Sequence, residues 1–214
     1  MTRPALSLAD FIEPAAASPL APWLDKEPWE ITGESGAIVR RLLATLPGAE
    51  YRIDAEVAVH VTATVESGCV LKGPLILGPH CFVAAGAYLR GGNWVDRACT
   101  LGPGSELKSS FVFAGSTLAH FNFVGDSILG SGVNLEAGSI VCNHRNERAD
   151  TQVLVRLPGG LHRTGCDKFG AVVGDRCRIG ANAVIAPGAL LARGTVVPRG
   201  HVHDDETIAS GGQA

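Results

Sequence analysis

From Ile53 onward the chain places an aliphatic or aromatic residue at every sixth position: Val59, Val65, Leu71, Leu77, Val83, Leu89, Val95, Leu101, Leu107 and Phe113. Four residues beyond an anchor the side chain is often small, as at Ala63, Cys69, Cys81, Ala87, Cys99, Ser105 and Thr117. The pattern resumes at Phe123, Leu129, Leu135 and Val141, and again at Val173, Ile179, Ile185, Leu191 and Val197. A period of six matches neither the 3.6 of a helix nor the 2 of a half-buried strand. It predicts a solenoid of short strands and tight turns, with the branched anchors and the small residues pointing inward. Cys69, Cys81, Cys99 and Cys177 are then small apolar fillers rather than metal or redox groups.

The repeat resembles that of the hexapeptide-repeat, left-handed parallel β-helix superfamily. The resemblance implies an all-β solenoid in which three hexads make one triangular coil and residues 18 apart stack vertically. The solenoid is expected over 51–203, with an insertion over about 143–168 and a flexible tail over 204–214. Within the insertion Thr151–Arg156 alternates weakly and Pro158-Gly159-Gly160 signals a turn, so a β-hairpin arm is expected. Such an arm reaches a neighbouring subunit or folds over a cleft. Residues 1–50 lack the repeat. Ile38, Leu42 and Leu46 recur at four-residue spacing, which predicts a short amphipathic helix from Ser35 to Leu46, stopped by Pro47. This segment is expected to cap the open end of the solenoid, whose strand edges would otherwise pair with other chains.

Composition agrees with a coiled, narrow core: Gly is 27 of 214 residues and aromatics are 6%. A net charge of −3 gives no electrostatic reason to expect nucleic acid or a membrane surface as partner. No apolar run approaches the ~18 residues of a membrane helix, and no signal peptide is legible. Six scattered cysteines fit a reduced, cytoplasmic protein.

The 18-residue coil makes one chemical prediction. Lys72, Arg90 and Lys108 should form a vertical column with steps of about 4.8 Å. Stacked like charges need an anion or carboxylate among them, unless the side chains splay into solvent. Departures from the repeat are the other candidates, because an interruption costs packing and backbone hydrogen bonds. One falls between Phe113 and Phe123 and contains Ala119-His120-Phe121-Asn122.

Two blocks carry a more specific resemblance: Ala119-His120-Phe121-Asn122-Phe123-Val124-Gly125-Asp126-Ser127, and Val133-Asn134-Leu135-Glu136-Ala137-Gly138-Ser139-Ile140-Val141-Cys142-Asn143. They are similar to the acetyltransferase domain of bacterial N-acetylglucosamine-1-phosphate uridyltransferases and to archaeal sugar-1-phosphate relatives. The similarity runs from about Val57 to Val202. It implies His120 as general base, Arg90 and Lys108 as sugar-phosphate ligands, and Asn134 and Asn143 as holders of an amino sugar. Ala181 and Arg199 would lie near acetyl-CoA. Three departures bear on the sugar. Phe123, at a substrate-binding position, stands for a Tyr; His144 stands for a second Tyr, with Arg145 or Arg148 replacing a following Lys; and Glu136 stands for a Gly.

The implied activity is acetyl transfer from acetyl-CoA to an amino-sugar phosphate by a homotrimer with sites between adjacent solenoids and no metal. No nucleotidyltransferase domain is expected in residues 1–50. Two alternatives remain open: an acyltransferase for a nucleotide-linked amino sugar, and a non-catalytic trimeric sugar-phosphate-binding protein. A γ-class carbonic anhydrase is disfavoured, since the seven histidines lack that family's paired spacing.

Overall fold

The computed structural model describes residues 6–207. Among them, short strands stack in parallel into three sheets that wall a triangular solenoid. Face I has eight strands, of which the first is antiparallel to the rest, and faces II and III have seven each. On face I the inward series runs Val59, Leu77, Val95, Val112, Leu129, Val173, Leu191. Face II contributes Val83, Leu101, Leu118, Leu135 and Ile179, and face III Leu89, Leu107, Val124, Val141 and Ile185. These branched side chains form one continuous core with Cys81, Cys99 and Cys177, while Cys69 packs against its edge. All six cysteines are unpaired.

The coil length is not uniform. Leu77 pairs with Val95, a full three hexads on, but Val95 pairs with Val112 and Val112 with Leu129, each a shorter step by a single position. The corner after face III is tighter by that one residue in these coils, so Val112 rather than Phe113 enters the core after Leu107. Phe113 turns outward and packs edge-on against Trp94, with ring centroids 5.2 Å apart. Ser116, not Thr117, then fills the small inward slot. The expected interruption between Phe113 and Phe123 is therefore a phase slip. Leu118 and Val124 continue the core, Phe123 faces outward, and Ala119–Asn122 is an ordinary corner between faces II and III. The start of the series is also corrected. Ile53 lies on a strand, Tyr51–Asp54, that runs antiparallel to Val57–His60, and its side chain is exposed.

The N-terminal segment does not close the solenoid end. It comprises three 3-10 turns (Leu8–Asp10, Glu13–Ala17, Ala21–Trp23) and two helices, α1 (Pro28–Gly33) and α2 (Ser35–Leu43). Helix α2 stops short of the expected Leu46, with Ala44 as its C-cap. The segment lies along the outside of face I, whose outward residues Ile76, Trp94, Phe111, Ile128 and Val172 are themselves apolar and need cover. Its far end is fixed where Phe11 O accepts from Asp175 N–H (3.0 Å) and from Arg193 Nε (3.1 Å), and where Glu13 N–H donates to Asp175 Oδ2 (2.8 Å). Its near end is fixed where Ser35 Oγ donates to Gly91 O (3.2 Å). The first coil stays open, with Ile53, Val57, Val59, Val65 and Leu71 lining a cavity.

The insertion lies on the long path between Leu129 and its stacking partner Val173. As expected it forms a hairpin, Leu154–Leu157 against Gly160–Arg163. The arm does not reach away from the molecule. Val153 and Val155 are buried in the same outer cluster as the N-terminal segment, and Trp29 contacts His162 and Phe169 at 5.8 and 5.9 Å.

The phase slip has a direct test. Val124→Asn places an unpartnered amide in the core and should cost about 3 kcal/mol or more in a urea titration. Phe123→Asn, on the outer side, should cost about 1 kcal/mol. Equal costs would mean that the phase is wrong.

Candidate active site

His120 sits on the corner between faces II and III and is exposed. The corner is built by successive coils. Phe121 N–H donates to Pro103 O (3.0 Å), Gly138 N–H to His120 O (2.9 Å), Asn182 N–H to Ala137 O (3.0 Å) and Gly200 N–H to Ala181 O (2.9 Å). Pro103, His120, Ala137, Ala181 and Arg199 thus occupy one position on five consecutive coils. The expected base and both expected cofactor residues share a single vertical column, in steps of about 4.8 Å. In the next position, where Gly104 and Gly138 have positive φ, the His120 coil has Phe121 at φ 53°, with its ring largely exposed. Gly102 permits the close stacking beneath: a methyl group there would collide with the Ala119 carbonyl.

Beneath the corner lies a polar stack inside the core. Asn122 is buried; its Oδ1 accepts from His120 N–H (3.0 Å), and its Nδ2 donates to Glu136 O (2.8 Å) and Ser139 Oγ (3.0 Å). This fixes the backbone that carries His120. Among the described residues the His120 ring itself makes no hydrogen bond or ion pair, so both ring nitrogens face solvent or a ligand. Asn122 was missed as a positioning residue because its inward slot follows Leu118 by four, a phase hidden by the slip.

The charged column is present on face III. Lys108 pairs with Arg90 in register, and Lys72 N–H donates to Leu89 O one coil away. Carboxylates relieve the repulsion. Arg90 Nη2 lies 2.7 Å from Glu106 Oε1, and Lys108 Nζ lies 2.6 Å from Asp126 Oδ2. Lys72 instead donates to the Tyr88 hydroxyl at 2.8 Å and sits over its ring. Asn143 Nδ2 donates to Asp126, completing a Lys108–Asp126–Asn143 chain. Phe123 lies beside it, its ring and the Asn143 amide both covering Gly125, where any β-carbon would clash. Glu106 and Asp126 were not singled out from the sequence, although each lies one coil-step from the cation it neutralises.

The structure therefore brings Arg90, Lys108, Phe123 and Asn143 together on face III. It does not place Asn134 with them. Asn134 pairs with Thr117 and Arg178 on face II and faces a cavity lined also by Glu136, Arg178 and Arg199. Glu136 Oε2 accepts from Ala181 N–H (2.9 Å) and Arg199 Nε (2.8 Å), while Oε1 accepts from Arg199 Nη2 (3.0 Å). The Arg199 guanidinium, and then the Ala181 amide, hold the Glu136 carboxyl below the usual carboxylate range. The corner amides of Phe121, Gly138, Asn182 and Gly200 are committed to the coil ladder.

Arg145 and Arg148, expected in place of a substrate-binding Lys, are engaged with residues 204–206. Buried Arg145 donates from Nη1 and Nη2 to Asp204 (2.8 Å each) and from Nη2 to Pro187 O (2.9 Å); Arg148 Nη1 donates to Glu206 Oε2 (2.6 Å). Arg156 Nε donates to Asp205 O at 2.6 Å. The insertion thus clasps residues 204–206, the first part of the expected flexible tail; residues 208–214 of that tail lie outside the described residues. His144 is turned to the Asp167 carbonyl, 3.0 Å from Nδ1. Among the described residues no three His, Cys, Asp or Glu side chains converge as a metal site, and no helix is long and apolar enough to cross a membrane.

A parallel β-solenoid of hexapeptide repeats, carrying an exposed histidine on one corner beside a face of paired cations, is the class that fold and site define. Relatives of the chain include named acetyltransferases. It is 31% identical over 140 residues to the uncharacterized acetyltransferase YaiX of Escherichia coli O6:K15:H31 (strain 536 / UPEC), covering 65% of this chain and 60% of that protein. It is 29% identical over 171 residues to a bifunctional sugar-1-phosphate nucleotidylyltransferase/acetyltransferase of Sulfurisphaera tokodaii, covering 78% of this chain and 42% of that one. It is 27% identical over 154 residues to the bifunctional protein GlmU of Desulfitobacterium hafniense (strain DSM 10664 / DCB-2), covering 69% and 30%. The aligned part thus spans less than two thirds of the first of these relatives and less than half of the other two. No family model matches the chain.

The clasp predicts a pH dependence. Arg145 holds Asp204 below its ordinary range. A depressed folded-state value gives stability that is present above the unfolded value, about 3.9, and lost as pH falls through the folded one. Asp204→Asn strips the main counter-charge from buried Arg145 and should cost about 3 kcal/mol at pH 7. That cost should shrink below about pH 4, read by urea titration at both pH values.

Proposed function

We propose that the protein transfers the acetyl group of acetyl-CoA to the amine of an amino-sugar phosphate of the glucosamine-1-phosphate kind. The observation that carries this reading is His120: exposed, with a free ring, in the corner column that it shares with Ala181 and Arg199 and that leads into the Arg90–Lys108 face. An ammonium cannot attack a thioester, so a base must take its proton, and neutral imidazole does so near pH 7. The amine nitrogen then bonds to the thioester carbonyl carbon. The tetrahedral intermediate collapses with cleavage of the C–S bond, and the CoA thiolate leaves to be protonated.

Arg90 and Lys108 receive the sugar phosphate, Arg through its planar fork and Lys as a point charge. Each already has a carboxylate partner, so substrate must enter against Glu106 and Asp126. Phe123 and Asn143 flank the sugar. The similarity to the bifunctional sugar-1-phosphate nucleotidylyltransferase/acetyltransferase of Sulfurisphaera tokodaii supports this substrate class. Asn134 lies on a different face from Asn143, and this separation supports a homotrimer in which face II of one solenoid meets face III of the next. The half-exposed stripe of Phe123, Ile140 and Val184, ending in exposed Val202, supports the same arrangement.

Purified protein should release CoA thiol from acetyl-CoA when glucosamine 1-phosphate is added, and sedimentation should give three times the 22.2 kDa chain mass. His120→Ala should lower kcat about 10²–10⁴-fold. Arg90→Ala should raise KM for phosphorylated sugars about tenfold and spare unphosphorylated ones. Undiminished turnover in the His120 variant, or no turnover across a panel of amino sugars, would overturn the reading.

A further inference from the structure

The strand Tyr51–Asp54 ends the face I sheet and pairs only with Val57–His60. Ala55 and Glu56, both at positive φ, make the two-residue turn between them. Val61 N–H donates to Glu50 O (2.8 Å). Backbone groups alternate in direction along an antiparallel pair, so those of Arg52 also turn to the neighbouring strand and those of Ile53 turn away from it. The Ile53 N–H and C=O therefore lie on a free edge, at the solenoid end that the N-terminal segment leaves uncovered. The Ile53 side chain is 51% exposed. Charged residues ordinarily blunt such an edge. Here the two that flank Ile53, Arg52 and Asp54, are of opposite sign. Both are exposed and, among the described residues, neither makes a hydrogen bond or ion pair.

We propose that this edge joins the same edge of a second copy of the chain, in an antiparallel ribbon centred on Ile53. About the two-fold axis, Ile53 exchanges both backbone hydrogen bonds with Ile53 of the other copy. Arg52 then stands opposite Asp54 of the other copy, and Asp54 opposite its Arg52, at Cα separations of about 4.5 Å. Opposite charges so placed stabilise the pairing. Charge also fixes the register. Moving the axis one residue either way sets Arg52 against Arg52 or Asp54 against Asp54, and like charges directly opposite are destabilising. The triplet Arg52-Ile53-Asp54 is thus self-complementary, which a two-fold contact demands of the surface it uses. Arg52 and Asp54 also line the cavity of about 450 Å³ at the open first coil, so the ribbon sets the open ends of two solenoids face to face.

The ribbon does not rest on the proposed trimer, and the test separates the two. The contact is small and screened by salt, so it forms as protein concentration rises at low ionic strength. Sedimentation equilibrium of the full chain over a concentration series should show the mass climbing to twice its dilute value. Arg52→Asp should hold the mass at the dilute value. The double variant Arg52→Asp/Asp54→Arg reverses both pairs and should restore the doubling, which a merely damaged strand would not do. Both side chains are exposed, and circular dichroism checks the fold of each variant. No doubling in the unaltered chain, doubling that persists in Arg52→Asp, or no rescue in the double variant would each overturn the proposal. A dilute mass of three chains that doubles upholds the ribbon and the trimer; a dilute mass of one chain that doubles upholds the ribbon and removes the trimer.

Discussion

Everything in this molecule hangs on the hydrogen-bonded register between successive coils. Each strand is very short and has no stability of its own; its amides and carbonyls are satisfied by the coil below and the coil above. That ladder fixes which residues stack, and stacking fixes the chemistry. Lys108 lies over Arg90, and Arg199 lies above Ala181, because the backbone pairs that way. The shortening of the coils after Val95 is absorbed at one corner, so the inward column stays straight while the outer residues shift in phase.

A solenoid wall with apolar residues on both sides cannot stand in water. Face I shows how the chain meets this constraint: the N-terminal segment and the insertion, far apart in sequence, are drawn to the same outer stripe around Trp94, Phe111 and Ile128. Faces II and III mix polar residues with exposed or half-exposed apolar ones such as Val196 and Val202 on their outer sides, and the candidate chemistry lies there. The clasp between Arg145, Asp204 and Glu206 ties the insertion to the residues that follow strand Val202–His203.

The candidate site is two clusters flanking one corner. On each side one arginine is paired, Arg90 with Glu106 and Arg199 with Glu136, which reduces the positive charge around the corner. His120 stands between them with a backbone fixed by buried Asn122 and a ring left free.

The solenoid, the hairpin insertion, the helix near Ser35 and the Lys72–Arg90–Lys108 column are all legible in the chain alone: the six-residue period, the turn residues and the apolar spacing are local facts, and the family resemblance adds the three-hexad coil that stacks the column. The phase between Leu107 and Leu129 is not. Phe113 and Phe123 are as apolar as Val112 and Val124, so a slip by a single position leaves the hydrophobic pattern nearly unchanged. Only the inter-coil hydrogen bonds choose which of each pair enters the core. Long-range packing likewise settles that the N-terminal segment covers a wall rather than an end, that Asn134 and Asn143 lie on different faces, and that Glu136 turns to Arg199. Each of these depends on surfaces brought together from distant parts of the chain, where burial and charge pairing act across space and leave no periodic trace in the sequence.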